Sequence, residues 1–506
     1  FKPMKRIYLL LLPLLFSQIT LFAQDGNNQV SYSNLVLQFS DWNVNGDAAS
    51  GFIPSVATSN GFGSFIDNPA SVAFFDESYF SFGLLNSRVE QQNSYLGNTI
   101  TSKDDLTKLG NLGFSYTLPT EQGSFVIGGG YNLHTSQNRI NETNGRNSQS
   151  TITDHFKDPG SDYYDLAFET YAIDYATEDS SFLESIFRIG IDYPGITQDA
   201  RTTYSTHIGE YSFFFGTEFQ ENLYVGFSGG ITSGTYTYRR DLLELDDRND
   251  YDGNFIEGSD IDNILVHDEI DADIVGFALR AGLIYQLNPN FNIGASYLLP
   301  STFSVTENYY SSIETNLDDG SAPFEYDLEG SDYTYKFTKP GQLNIGFAAV
   351  DLGGLSVSTS AEFIDYSNLD LDLISGSDLG GFDEERVIRQ QEAELDSVMA
   401  NDYNMVINLK AGAKYQINNQ FELRGGYAYL PGKSKLFEAD KNVFSGGFGI
   451  KLSESFVLDV NAQYTIWDDR SVAYSYFDDG AGEFRQETIS ESNSKFNILA
   501  GIKIIF

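Results

Sequence analysis

Four histidines, one cluster of aspartates and a complete lack of cysteine limit the chemistry open to this chain. His134, His155, His207 and His267 are the only imidazoles. An imidazole works as a general base or metal ligand only when a second group stands at a fixed spacing, as in His-Glu-x-x-His on one helix face. None of the four has that neighbour, and no Gly-x-Ser-x-Gly elbow presents a serine nucleophile. Asp246, Asp247, Asp250, Asp252 and Gly253 resemble part of a calcium loop. Registering Gly253 on the turn glycine puts Arg248 at the first ligand position and Ser259 at the twelfth, where acids are required. An EF-hand-type loop is excluded, and a solvated acidic surface with at most loose divalent binding remains. Without cysteine, disulfides, thiolate metal sites and a lipid-modified N-terminal cysteine drop out. Neither an enzyme nor a cofactor is expected.

Charge narrows the partners. The chain has 71 acidic and 30 basic residues, a net charge of -41. Phosphate backbones need clustered Lys and Arg, so nucleic acid is not a partner. Disorder is a common cause of such acidity. Here 32 Tyr and 40 Phe argue against it and suit a barrel with aromatic girdles.

The elements that would carry these side chains are strands. From Lys495 onward Phe496, Ile498, Ala500, Ile502, Ile504 and the terminal Phe506 share one face, because strand residues alternate sides. An aromatic ending that face is similar to the insertion signal read by the outer-membrane barrel assembly machinery. Met405 to Ile417, Phe456 to Ile466 and Val275 to Leu287 repeat the alternation. Alternation alone would also fit a soluble sandwich. The connections separate the two. Short turns near Pro119–Gln122, Gln220–Asn222, Asn288–Asn290, Asp351–Gly354, Asn418–Asn419 and Ser453–Ser455 alternate with long polar links at 89–108, 133–205, 240–272, 310–332, 367–403, 431–442 and 477–486. All long links therefore fall at one end, as in barrels with short periplasmic turns and long extracellular loops. Counting through them predicts an all-β, transmembrane antiparallel barrel of about 14 strands over 78–506. After the N-terminus no apolar run is long enough to span a bilayer as a helix.

The N-terminus reads as an export signal. Met4-Lys5-Arg6, the apolar run Ile7 to Phe16 and Ala23 predict a signal peptide over 1–23, with residues 1–3 upstream of the start Met. The predicted location is the outer membrane of a Gram-negative bacterium, among outer-membrane lipid and lipopolysaccharide.

Asp67-Asn68-Pro69-Ala70-Ser71 running into Tyr79-Phe80-Ser81-Phe82 resembles the start of the FadL/TodX family of outer-membrane hydrophobic-compound transporters. Lys339-Pro340-Gly341-Gln342-Leu343, Phe363 to Asn368 and Leu423 to Tyr429 resemble its Bacteroidota branch. The resemblance implies a hatch, here 24–77, inside the lumen, with Asn68, Pro69 and Ala70 as the hatch motif. The segment is poorer in glycine than is usual for the family. The resemblance also implies release of ligand sideways through a kinked third strand. Gly128, Gly129 and Gly130 are the candidate lateral gate, since glycine permits bulges. Local barrel curvature is the plainer reading of the same run.

The expected function is transport of hydrophobic small molecules, fatty-acid-like or aromatic, with ligand-binding residues unassigned. The alternative is a barrel of this type serving in a secretion or surface-protein assembly complex, docking a protein partner on its extracellular loops. An apolar pocket beneath the loops would favour transport; a packed or polar lumen would favour the scaffold.

Overall fold

The protein is described by a computed structural model, which covers residues 31–506 apart from 43, 159–160, 162, 178–181, 191, 250, 252–259, 331, 374–381, 436–438 and 479. The expected signal peptide lies outside the described residues, as do Asp250, Asp252, Gly253 and Ser259 of the acidic run.

Alternating side chains build a wall whose outer face is apolar. Its strands are β1 Tyr79–Tyr95, β2 Asn98–Leu118, β3 Phe125–Asn147, β6 Ile196–Gln220, β7 Leu223–Leu245 and β8 Ile261–Asn288. They continue through β9 Phe291–Leu298, β10 Ser301–Leu317, β11 Phe324–Glu329, β12 Tyr333–Lys339, β13 Gln342–Leu352 and β14 Leu355–Asp365. β15 Asp370–Asp372, β16 Met405–Asn418, β17 Phe421–Leu430, β18 Lys441–Ser453, β19 Phe456–Asp478 and β20 Glu483–Ile505 complete it. β4 Ile173–Tyr175 and β5 Leu183–Ser185 form a separate small hairpin. β1 pairs with β20 from Tyr79↔Ile505 to Ser94↔Ser490, which closes the barrel and leaves no sheet edge at membrane level there. β9 and β10 are one wall strand interrupted at Pro300, and β12 and β13 are another interrupted at Pro340. With β11 leading into β12 in that second wall strand, and β15 extending β14, the eighteen segments make the closed 14-strand antiparallel barrel anticipated above.

The outward face of the lower wall is a belt of exposed apolar side chains, among them Phe82, Phe114, Phe213, Phe277, Ile345, Leu409, Phe444 and Ile502. Phe506 lies on that face, its ring 5.0 Å from Phe80, and its N–H donates to the Ser78 carbonyl. A spanning strand needs only about 9–11 residues. β8 has 28, and β3, β6, β7, β19 and β20 have between 23 and 25, so these strands rise well above the belt.

This corrects part of the loop reading. The links anticipated at 89–108, 240–272, 310–332 and 477–486 are largely strand. β1 and β2, for example, are joined by Leu96-Gly97 alone, with φ of 48° and 85°, the positive pair a tight hairpin turn demands. Above the membrane the outer face meets water instead of lipid. The hydropathy contrast that marks a strand fades there, while backbone pairing continues.

Inside the wall lie α1 Tyr32–Ser40, α2 Ser64–Asp67 and a 3-10 turn Pro69–Phe74. Residues 148–195, with α3 Thr153–Phe156 and α4 Tyr164–Glu169, fold over the outer mouth as a lid. Ile152, Phe156, Leu166 and Phe187 of the lid join Ile264, Val266, Ile313 and Tyr474 of the wall in one core. α5 Phe382–Asp402 lies in the connection between β15 and β16.

Candidate functional site

The Asn-Pro-Ala motif ties the luminal segment to the wall. The Asn68 side-chain amide donates to the carbonyls of Val56 (2.6 Å), Leu283 (3.1 Å) and Ala295 (3.4 Å). Its oxygen accepts the Ala70 N–H at 2.9 Å, capping the 3-10 turn whose first residue is Pro69. One side chain thereby joins the turn, a second stretch of the luminal segment and strands β8 and β9. The wall makes room for it with glycine. A Cβ at Gly226, Gly282, Gly294, Gly346 or Gly412 would press within 3 Å of Pro69, Asn68, Val56 or Ile53.

α1 occupies the upper lumen. Ser31 caps it, accepting the Asn34 N–H, and Leu35, Val36, Leu37 and Phe39 are buried. They pack against Tyr204, Tyr236, Tyr238, Ile270, Ile274, Phe303, Tyr335 and Phe337. Burying each such side chain contributes about 1.5–3 kcal/mol. The lumen beneath the lid is therefore apolar, and the chain's own helix fills it.

Just below α1 the lining turns polar and charged. Trp42 stands at the junction. Its indole stacks on His134 at 4.6 Å and 5°, and the Lys339 ammonium lies 3.4 Å from the ring centroid. Glu210 accepts both Arg280 guanidinium nitrogens, at 2.7 and 2.8 Å, and lies 2.9 Å from His134 Nε2. All of these except Trp42, which is half-buried, are nearly or fully buried. Lys410 meets Glu362 at 3.2 Å, and Asp41 lies between Lys433 (2.8 Å) and Lys441 (3.3 Å). Lys339 is 1% exposed and faces the Trp42 ring with no carboxylate at ion-pair distance among the described residues. Apart from Glu210, which stands behind Arg280 and His134, these groups line one small cavity, bounded below by Ile53, Pro54, Ile66 and Asp67.

Beside this cavity the wall has a seam. β2 and β3 pair from Leu118↔Phe125 to Asn111↔Asn132 and no further, although both strands continue upward. Above that point the luminal backbone takes the place of β2. The Val44 N–H donates to the His134 carbonyl at 2.9 Å, and the Thr135 hydroxyl donates to the Asp41 carbonyl at 2.8 Å. Gly46 lies against Gly110 so closely that neither tolerates a Cβ. Gly128, Gly129 and Gly130 sit just below the seam and pair on both sides, with β2 and with β6. The glycine run is closed wall, and the ladder ends two residues past it.

The remaining histidines stay apart. His155 lies in α3, His207 contacts Ser136 and Ser205, and His267 pairs with Asp241 at 2.6 Å. Asp247 pairs with Arg146 at 2.9 Å. The residues missed from the sequence are Trp42, Lys339, Arg280 and Glu210, which belong to four distant segments. One signal was available: Arg280 falls between inward-facing Ala278 and Gly282, and Glu210 between Ile208 and Ser212, uncharged neighbours against which a charge stands out.

The sequence profile of the family described as outer membrane protein transport protein (OMPP1/FadL/TodX) matches residues 222–498. The crystal structure of the Pseudomonas putida toluene transporter TodX is similar in fold, with TM-score 0.51 and 15% identity over 91% of this chain and 98% of that one. A TodX mutant described as a monoaromatic hydrocarbon channel gives TM-score 0.50 and 14% identity over 91% and 99%. No curated protein matches the chain. The matched profile covers more than half of the sequence, and the closed barrel is of the corresponding fold. The chain is a member of the OMPP1/FadL/TodX family of outer-membrane transport proteins, a family of channels and not of enzymes.

Proposed function

We propose that this transporter carries an amphiphile with an apolar body and an anionic head, seats the head at Lys339, and releases the body sideways through the β2–β3 seam. The observation that carries the reading is the buried Lys339 ammonium, faced by an indole in place of a carboxylate. A buried charge without an ionic partner is costly. In a chain with 71 acids that cost would be easy to remove, so the vacant coordination favours an incoming anion. The apolar residues around α1 supply a chamber for the body once the helix yields. Segment 41–46 supplies the seam's closure, and because Trp42 lies within it, head-group binding and seam opening involve the same few residues. In this reading Gly128, Gly129 and Gly130 serve as a pliable base below the opening. Residues 24–77 act as the hatch.

Trp42 and Trp467 are the only tryptophans, so a Trp467→Phe protein reports on the cavity alone. Titrating it in detergent with oleate and with methyl oleate tests the reading. Oleate should change Trp42 emission with at least about tenfold higher affinity than the ester, and Lys339→Met should remove the difference. Equal binding of acid and ester, unchanged in Lys339→Met, would replace the amphiphile with a neutral hydrocarbon.

A further inference from the structure

We propose that strand β11, on the extracellular face, is a docking edge for an extended, basic segment of a partner polypeptide, which adds to it as a further strand. β11 pairs with β10 through Tyr310↔Glu329 to Thr315↔Phe324. Its other edge has no main-chain partner among the described residues. The wall steps down at this point. β12, which follows β11 in the same wall strand, is paired by β15 over three residues only, and β14 ends at Asp365. Among the described residues the edge thus stands clear above its neighbours.

Edge strands are usually blunted by charge, and Glu325 and Asp327 would do that. The other face does not fit a merely blunted edge. Phe324, Tyr326 and Leu328 project to the same side as β10 Ile313, and Tyr326 and Leu328 remain 45% and 42% exposed. The lid extends this apolar strip. Tyr171 packs its ring 4.8 Å from Phe324, and Phe168 lies 5.9 Å from Tyr175. Tyr171, just past the Thr170 cap of α4, adopts φ 59°, a conformation that is strained for an aromatic residue and that sets its ring beside β11. An open backbone edge, an aromatic strip on one side and carboxylates on the other fit the alternating side chains of an added strand. Apolar residues of the guest would meet Tyr326, Leu328 and Tyr171, and its Lys or Arg residues would meet Glu325 and Asp327. Asp165 and Glu169 of α4 add to the negative field. A second copy is disfavoured as the guest, because pairing β11 with itself would oppose like charges on chains of net charge -41.

The test uses the full chain in lipid nanodiscs with a labelled synthetic peptide alternating lysine with valine and tyrosine. A peptide of the same composition, with its lysines gathered in one block, controls for bulk charge. Fluorescence anisotropy should show the alternating peptide binding at least about tenfold more tightly than the block peptide. That preference should vanish in both Glu325→Lys/Asp327→Lys and Tyr326→Ala/Leu328→Ala. The substituted side chains are exposed, and oleate-dependent Trp42 emission checks that the barrel is intact. Equal binding of the two peptides, or binding indifferent to both variants, would overturn the proposal as mere attraction to an acidic surface. Concentration-dependent self-association abolished by Tyr326→Ala/Leu328→Ala would overturn it in favour of a second copy.

Discussion

Asn68 offers its amide to Val56, Leu283 and Ala295 and receives the Ala70 N–H, so its effect depends on being both donor and acceptor. Asn68→Asp keeps the cap and loses the donors, while Asn68→Ala loses both. Each should lower hatch stability by about 1–3 kcal/mol, since buried carbonyls are left unsatisfied. Limited proteolysis of the 31–77 segment should therefore quicken in both variants, with the barrel itself still resistant. Glu244 offers a second residue-level test, above the apolar belt. It accepts from the Ile152 N–H (2.7 Å), Gln198 Nε2 (2.6 Å) and the Thr151 hydroxyl, which anchors the lid to β7. Burial pushes its carboxyl up to about 7 against the pull of those donors. A carboxyl raised in the folded state contributes its full stability below the ordinary carboxylate range and loses it as pH rises toward 7. The lid should accordingly loosen between about pH 5 and about pH 8. Hydrogen exchange of peptides from 148–195, corrected for intrinsic rates, should show this in the native protein and a flatter profile in Glu244→Gln.

At the scale of elements, the luminal segment is held at three levels: α1 by apolar contact, Asp41 and Val44 by hydrogen bonds to β3, and the Asn68 turn by side-chain bonds to β8 and β9. Release through the seam requires the middle level to move. A Cβ on Gly501 of β20 would lie 3.4 Å from the Ala48 Cβ, near the separation of a disulfide. The chain has no cysteine of its own, so Ala48→Cys/Gly501→Cys introduces a single cross-link. Oxidised, this protein should lose most uptake of radiolabelled oleate in cells, and a reductant should restore it. Undiminished uptake in the oxidised form would place the moving part elsewhere in the lumen.

At the scale of the whole molecule, charge is sorted by surface. The belt is apolar, the strands above it are acidic, and Arg280, Lys339, Lys410, Lys433 and Lys441 collect around one cavity. Lipid tolerates the outer face only while it stays uncharged. Ile345→Lys, on the belt face of β13, should cost about 2–4 kcal/mol in urea unfolding from lipid vesicles. Gln92→Lys, exposed above the belt on β1, should cost close to nothing. Similar losses for the two would mean that Ile345 does not face lipid.

Periodicity of two and closely spaced turn residues determined the barrel and its strand number from sequence alone. Those features are local, and the contrast between lipid and lumen writes them into every membrane-level strand. The same rule explains why strand above the belt, such as 89–95 or 261–272, was read as loop: water on the outer face removes the contrast. Asn-Pro-Ala stood out in the sequence, but its partners did not, because Leu283 and Ala295 are bound through backbone atoms that carry no sequence signature. Inward glycines such as Gly226, Gly282 and Gly294 recorded the contact surface of the luminal segment, yet became readable only when Pro69, Asn68 and Val56 were seen against them. The cavity was decided by tertiary structure alone. Trp42, His134, Glu210, Arg280 and Lys339 are separated along the chain, and only barrel closure around the luminal segment leaves Lys339 without an ionic partner among the described residues.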